Sequence, residues 1–143
     1  MKIAFFSTQS YDKEYFTRYN PGHEINFIET SLREKTVKLI TDETVVCVFV
    51  NDRLTAPVIN ALKEKGVGLI ALRCAGYNNV DLVAAAEAGI DVVRVPAYSP
   101  HAVAEHAVAM IMTLNRKTHK AYNRVREGNF SLDRLIGFDL FGK

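Results

Sequence analysis

Three stretches of this sequence hold residues suited to binding a small polar ligand, and each follows a short apolar run. The first is Arg73-Cys74-Ala75-Gly76-Tyr77-Asn78-Asn79-Val80-Asp81. A glycine at position 76 can take a positive φ and lets a ligand approach the backbone. Successive amides at Ala75 and Gly76 can form a concave nest for an anion such as a carboxylate. Each charge-assisted hydrogen bond of that kind is worth about 1.5–3 kcal/mol. The same spacing also suits an ordinary strand-to-helix turn. The second stretch is Pro96-Ala97-Tyr98-Ser99-Pro100. Its two prolines fix φ and restrain the residue before each, so Tyr98 is presented from a stiff loop. Such a tyrosine can close a pocket and donate its hydroxyl to a ligand, or simply pack with its hydroxyl in water. The third is Asn51-Asp52, where Asn51 either faces the same crevice or caps the following turn.

Other candidates fail on placement. Gly66-Val67-Gly68-Leu69-Ile70-Ala71 matches a dinucleotide pattern with alanine last. It precedes an apolar run, whereas phosphate binding needs a strand before the glycines and a helix after them. His101, His106 and His119 share a helical stretch, but 101 and 106 are five apart and leave one face, so no zinc motif results. Cys74 has no identifiable base beside it, and both it and Cys47 read as buried free thiols.

The elements that must position these residues follow from patterning. Five short apolar runs, Ile3–Phe6, Ile25–Ile28, Val45–Val50, Leu69–Leu72 and Val92–Val95, are continuous rather than alternating, which predicts parallel strands covered on both faces. Helical stretches separate them. Tyr11–Tyr19 places aromatics four residues apart on one face, and Leu32–Ile40 reads as a short, weaker helix. Pro57–Lys65 opens with proline and ends at Gly66, and Asp81–Ala88 has Asp81 as N-cap and Gly89 as C-cap. In an open α/β sheet ligands bind beyond the carboxyl ends of the strands, which is where all three stretches fall. The alternation predicts a doubly wound α/β fold with a flavodoxin-like parallel sheet. Ser99-Pro100 then starts a helix, with Ser99 as capping hydroxyl. Nothing in the sequence breaks it before Gly128-Asn129, so the spacing predicts one helix of roughly 40 Å. That is long enough to cross into a second domain or subunit.

Composition limits the function classes. The chain has 143 residues, 48% hydrophobic and 24% charged, with a net charge of +2. This is a globular balance, without the charge that nucleic acid or an anionic membrane would require. No stretch is long enough for a signal peptide or a membrane span, and two free cysteines fit a reducing compartment. The cytoplasm is the expected location.

Together these residues resemble the D-isomer-specific 2-hydroxyacid dehydrogenases, closest to the fermentative D-lactate branch. The resemblance rests on Phe49-Val50-Asn51-Asp52, on Ala71 through Asp81, and on Val93 through His106, with Met112 through Lys117 and Asn129 through Leu132 in support. It implies two α/β domains with the active site between them. Residues 1–99 would be the N-terminal part of the substrate domain. Residues 100–143 would hold the crossover helix and the start of a Rossmann coenzyme domain. It implies an NAD-dependent hydride transfer between NADH and a 2-keto acid such as pyruvate, giving a 2-hydroxy acid, in a homo-oligomer. Cys74, Ala75, Gly76, Tyr98 and Asn51 would bind substrate, and Val103 would pack against the nicotinamide ring. The family's glycine fingerprint and its catalytic arginine, glutamate and histidine match nothing up to Lys143, so no catalytic residue and no metal ligand is assigned here, and the chain alone is expected to be inactive. Arg73, just before the nest, is expected to form a structural ion pair instead. The alternative is a stand-alone flavodoxin-like binding module without dehydrogenase activity. A receiver-type version would need acids where Ser7-Thr8-Gln9-Ser10 stands, and a lysine in place of Pro96.

Overall fold

A computed structural model describes residues 1–142. The chain divides into two compact units, Met1–Tyr98 and Ser99–Lys143.

The first unit is a five-stranded, wholly parallel sheet of β1 (Lys2–Phe5), β2 (Glu24–Phe27), β3 (Val45–Val48), β4 (Leu69–Leu72) and β5 (Asp91–Arg94). The strand order is β2-β1-β3-β4-β5, the flavodoxin-like winding. Helices α1 (Ser10–Arg18), α2 (Ala56–Glu64) and α3 (Leu82–Ala88) connect the strands. The core runs through Phe6, Val46, Val48, Ile59, Leu62 and Ile70, all essentially inaccessible. Only β3 is buried along its whole length. The edge strands β2 and β5 are largely exposed, so the expectation of two covered faces fails for them: an edge strand has a neighbour on one side only, and less of the fold to cover it.

The local signals at α2 and α3 hold. Gly66 follows α2 with φ +81. The Asp81 carboxylate accepts from the Ala84 amide at 3.0 Å, and Gly89 closes α3 in the left-handed region. Tyr11, Tyr15 and Tyr19 share one face of α1, as their spacing predicts, and that face points outward, each residue more than half exposed. The helix instead docks through Phe16, whose ring meets Phe5 edge-on at 4.6 Å. The segment 32–40 is irregular apart from a single 3-10 turn at Val37–Leu39. Leu32, Val37 and Ile40 are buried there without a helix, so their apolar spacing reflects burial rather than helical period.

In the second unit the expected single helix is two: α4 (Pro100–Arg116) and α5 (Thr118–Arg126), parted by Lys117 at φ +53. The cause is tertiary. The Asn115 amide pairs both ways with the Phe138 backbone, at 2.7 and 2.9 Å, and Lys117 Nζ donates to the Ile136 carbonyl at 2.8 Å. The returning tail thus grips the end of α4, and no glycine or proline marks the site. Ser99 precedes α4, but its hydroxyl makes no capping bond. Proline near the helix start removes an amide that would otherwise lack a partner.

Candidate functional site

The carboxyl edge of the sheet is built from three exits, after β1, β3 and β4. β1 hands over to α1 and then to β2 on one side. β3 hands over to α2 and then to β4 on the other. The chain therefore diverges between β1 and β3, the switch point at which doubly wound folds place ligands. A cavity of about 1070 Å³ opens there, lined by Ser7, Phe49, Asn51, Asp52, Thr55 and Asn79 among others.

Beyond β4 the backbone is first held and then released. The Arg73 amide donates to the Val48 carbonyl at 3.1 Å, and the Val95 amide donates to the Cys74 carbonyl at 3.3 Å. Arg94 Nη1 donates to the Ala75 carbonyl at 2.9 Å, with its guanidinium 5.3 Å from the centroid of the Tyr77 ring. The Cys74 thiol contacts the Gly76 carbonyl at 3.3 Å. Both carbonyls of the 75–76 pair are thus taken up. The amides of Ala75 and Gly76 have no acceptor among the described residues. A Cβ built on Gly76 would meet nothing within 4 Å. These are two free donors with open space beside them, which suits an acceptor-only group such as a carboxylate. The two amides are presented without a left-handed residue: neither Ala75 nor Gly76 has a positive φ. Gly76 contributes clearance rather than a special conformation.

The far end of this stretch is pinned to the β3 exit. Asn79 Nδ2 donates to the carbonyls of Phe49 and Asp52, both at 3.0 Å. The Leu54 amide donates to the Asn79 carbonyl, and the Asp81 amide to that of Leu54, each at 2.9 Å. Asp52 is fully buried. Its carboxylate accepts from the Ser7 hydroxyl at 2.8 Å, the Leu32 amide at 2.7 Å and the Phe49 amide at 2.5 Å. Asn51, its neighbour, is exposed on the cavity rim.

Arg73 pairs with Asp12 at 3.4 Å, both side chains nearly buried. Its guanidinium stands 4.4 Å from the Phe5 ring centroid and 4.8 Å from that of Phe49. Nη2 donates to the Ser7 carbonyl at 2.7 Å. Burial pushes the Cys47 thiol up to about 11, with the nearby Arg73 guanidinium opposing. Burial raises the Cys74 thiol too. Neither thiol is primed as a nucleophile.

Of the six candidate residues, Cys74, Ala75 and Gly76 form one stretch, and Asn51 faces the cavity at the β3 exit. Tyr98, 69% exposed, ends the first unit, and Val103, 60% exposed, lies in the first turn of α4 in the second. Phe49, Asp52, Asn79 and Arg94 lie in stretches that the sequence singles out, but their supporting contacts, and that of Ser7, are visible only in the fold. Among the described residues no group of three or more His, Cys, Asp or Glu could hold a metal ion, and no helix is long and apolar enough to cross a membrane.

Comparison with known proteins bears on the family and the fold. Residues 3–130 match the family model described as D-isomer specific 2-hydroxyacid dehydrogenase, catalytic domain. The chain is 55% identical to D-lactate dehydrogenase of Escherichia coli over its whole length, covering 44% of that protein. The apo-structure of the Escherichia coli enzyme superposes with a TM-score of 0.89 over 100% of this chain and 46% of that one. A D-lactate dehydrogenase from Aquifex aeolicus, solved with NAD and lactic acid, is 28% identical with a TM-score of 0.75, covering 96% of this chain and 41% of that one. The chain thus spans less than half the length of the relatives it matches. With the family model covering most of the sequence and the fold shared throughout, this chain belongs to the D-isomer-specific 2-hydroxyacid dehydrogenases.

Proposed function

We propose that this chain is the N-terminal, substrate-binding part of an NAD-dependent D-lactate dehydrogenase, which interconverts pyruvate and D-lactate. The observation that carries the reading is the pair of free amides at Ala75 and Gly76, beside clear space and backed by fixed carbonyls. Those amides bind the 2-keto acid carboxylate. Tyr98 closes over the substrate from its proline-framed loop, and Asn51 and Cys74 line the approach. Residues 1–99 form part of the substrate domain, and residues 100–143 cross into the coenzyme domain.

The fit to a nicotinamide cofactor is partial. Val103 offers an exposed apolar side chain suited to packing against a flat ring. Among the described residues no strand runs into a glycine-rich turn that opens a helix: Gly66 ends α2, and Gly68 leads into β4. The chain's own share is therefore one wall of the nicotinamide site. NADH, when bound, supplies the hydride. The residues of this chain orient the acceptor and exclude alternative poses, an effect of position rather than of chemistry. The reading includes a cytoplasmic, fermentative role and a homo-oligomer. The assay is NADH oxidation with pyruvate by the protein carrying this chain together with the C-terminal portion its relatives have, with stereochemical analysis of the lactate. D-lactate as the sole product is expected. L-lactate, or no turnover of any 2-keto acid, would overturn the reading.

A further inference from the structure

The β4 exit is held from behind by a side chain that no part of the proposed reaction uses. Arg73 leaves the end of β4, passes β3 and reaches the exit of β1. Its guanidinium lies between the rings of Phe5, which ends β1, and Phe49, which follows β3. Its closest polar contact is not with an acid. Nη2 lies 2.7 Å from the Ser7 carbonyl and 3.4 Å from the Asp12 carboxylate. Ser7 adopts φ +52, a left-handed conformation unusual for a residue other than glycine. In that conformation it gives its carbonyl to Arg73 and its hydroxyl to Asp52. Asp52 accepts the Phe49 amide, and the Phe49 ring returns to Arg73. The four residues Arg73, Ser7, Asp52 and Phe49 make a closed circuit that joins all three exits. Nη1 of Arg73 makes no hydrogen bond to nitrogen or oxygen among the described residues, and the guanidinium faces the buried Cys47 thiol.

We propose that Arg73 is a positioning residue for the Ala75–Gly76 pair, acting through its planar shape rather than its charge. This rests on the reading of that pair as the carboxylate site. The charge is largely offset by Asp12 at the same nitrogen that donates to Ser7, whereas the contact with two ring faces needs a flat group. Lysine carries the charge and can donate to Ser7 but lacks the plane. Cation–π contact with two aromatic rings favours the guanidinium as well.

The test uses the protein with the C-terminal portion its relatives have. In Arg73→Lys the KM for pyruvate rises about tenfold while kcat and NADH affinity change far less, since small misplacements of positioning groups weaken substrate capture. In Asp12→Asn, which keeps both the stack and the Ser7 bond, KM stays near wild type. If Arg73→Lys keeps the wild-type KM, or Asp12→Asn raises it as much as Arg73→Lys does, Arg73 is an ordinary ion-pair partner and the proposal fails. A second readout does not depend on activity. Amide exchange at Val95 and Val80, whose acceptors are the Cys74 and Tyr77 carbonyls, speeds up about tenfold in Arg73→Lys, while core amides of β3 keep their protection, as expected of a local opening. Unchanged exchange at both amides, or equal loss throughout the sheet, overturns the proposal. A wild-type protein that fails to reduce any 2-keto acid, with the exchange pattern as predicted, would instead overturn only the functional reading.

Discussion

Replacing Asp52 tests how the floor of the crevice is held. The carboxylate is fully buried and accepts three hydrogen bonds, from the Ser7 hydroxyl and from the amides of Leu32 and Phe49. Asp52→Ala leaves the buried Leu32 amide and the part-buried Phe49 amide without an acceptor. Each such orphan costs about 1–3 kcal/mol, so the expected loss is about 4 kcal/mol, in the range measured for breaking buried charged networks. Asp52→Asn can keep its oxygen toward Ser7 and Leu32, where Oδ1 now sits. Its amide nitrogen then faces the Phe49 N–H, donor against donor, and the expected loss is about 2 kcal/mol. For a unit of this size that lowers Tm by roughly 10 °C. The chain has no tryptophan, so urea unfolding is best followed by far-ultraviolet circular dichroism. Asp52→Ala within about 0.5 kcal/mol of wild type, the range of an ordinary surface change, would refute the reasoning.

Other consequences can be checked independently. Gly76→Ala places its methyl in open space at an ordinary φ, so stability should stay within about 0.5 kcal/mol of wild type while the KM for pyruvate rises; an unchanged KM would remove Gly76 from the site. Burial disfavours ionised Glu43, but hydrogen bonds from Asn26, Thr41 and Asp42 outweigh it and hold the carboxyl below its ordinary 4.5. A carboxyl lowered on folding stabilises the fold above its unfolded value, and that stability is lost as pH falls through the folded value. Glu43→Gln should therefore flatten the acid limb below pH 4.5; an identical limb in the variant would contradict this. Iodoacetamide at neutral pH should label Cys47 only as fast as the chain opens, because the thiol is buried and held protonated; rapid stoichiometric labelling of the folded chain would show otherwise.

Much of the fold was legible because its signals are local. Val45–Val48 reads as a fully covered strand from its composition, and Asp81 and Gly89 bracket α3 through chemistry that neighbouring residues dictate. The break at Lys117 was not legible. It arises where Asn115 and Lys117 reach a tail some twenty residues away, and helical periodicity carries no record of such a contact. The segment from Leu32 to Ile40 misled for a related reason, since burial of Leu32, Val37 and Ile40, spaced five and three apart, imitates a helical stripe over so short a length. At the site, Ala75 and Gly76 stood out only as successive amides beyond a strand, a pattern an ordinary strand-to-helix turn shares. The supporting circuit did not. Ser7, Asp52 and Arg73 are separated by 45 and 21 positions, and only the order of the strands brings them together. The backbone leaves the Ala75 and Gly76 amides without acceptors and without a left-handed residue.

The most direct test of the account is a titration of the isotope-labelled chain with pyruvate, followed through backbone amide resonances. Saturable shifts concentrated at Ala75 and Gly76 are expected, reduced in Gly76→Ala. Shifts centred instead on Arg33 and Arg53, which also line the switch-point cavity, with 75 and 76 silent, would contradict the central claim that this pair receives the substrate carboxylate.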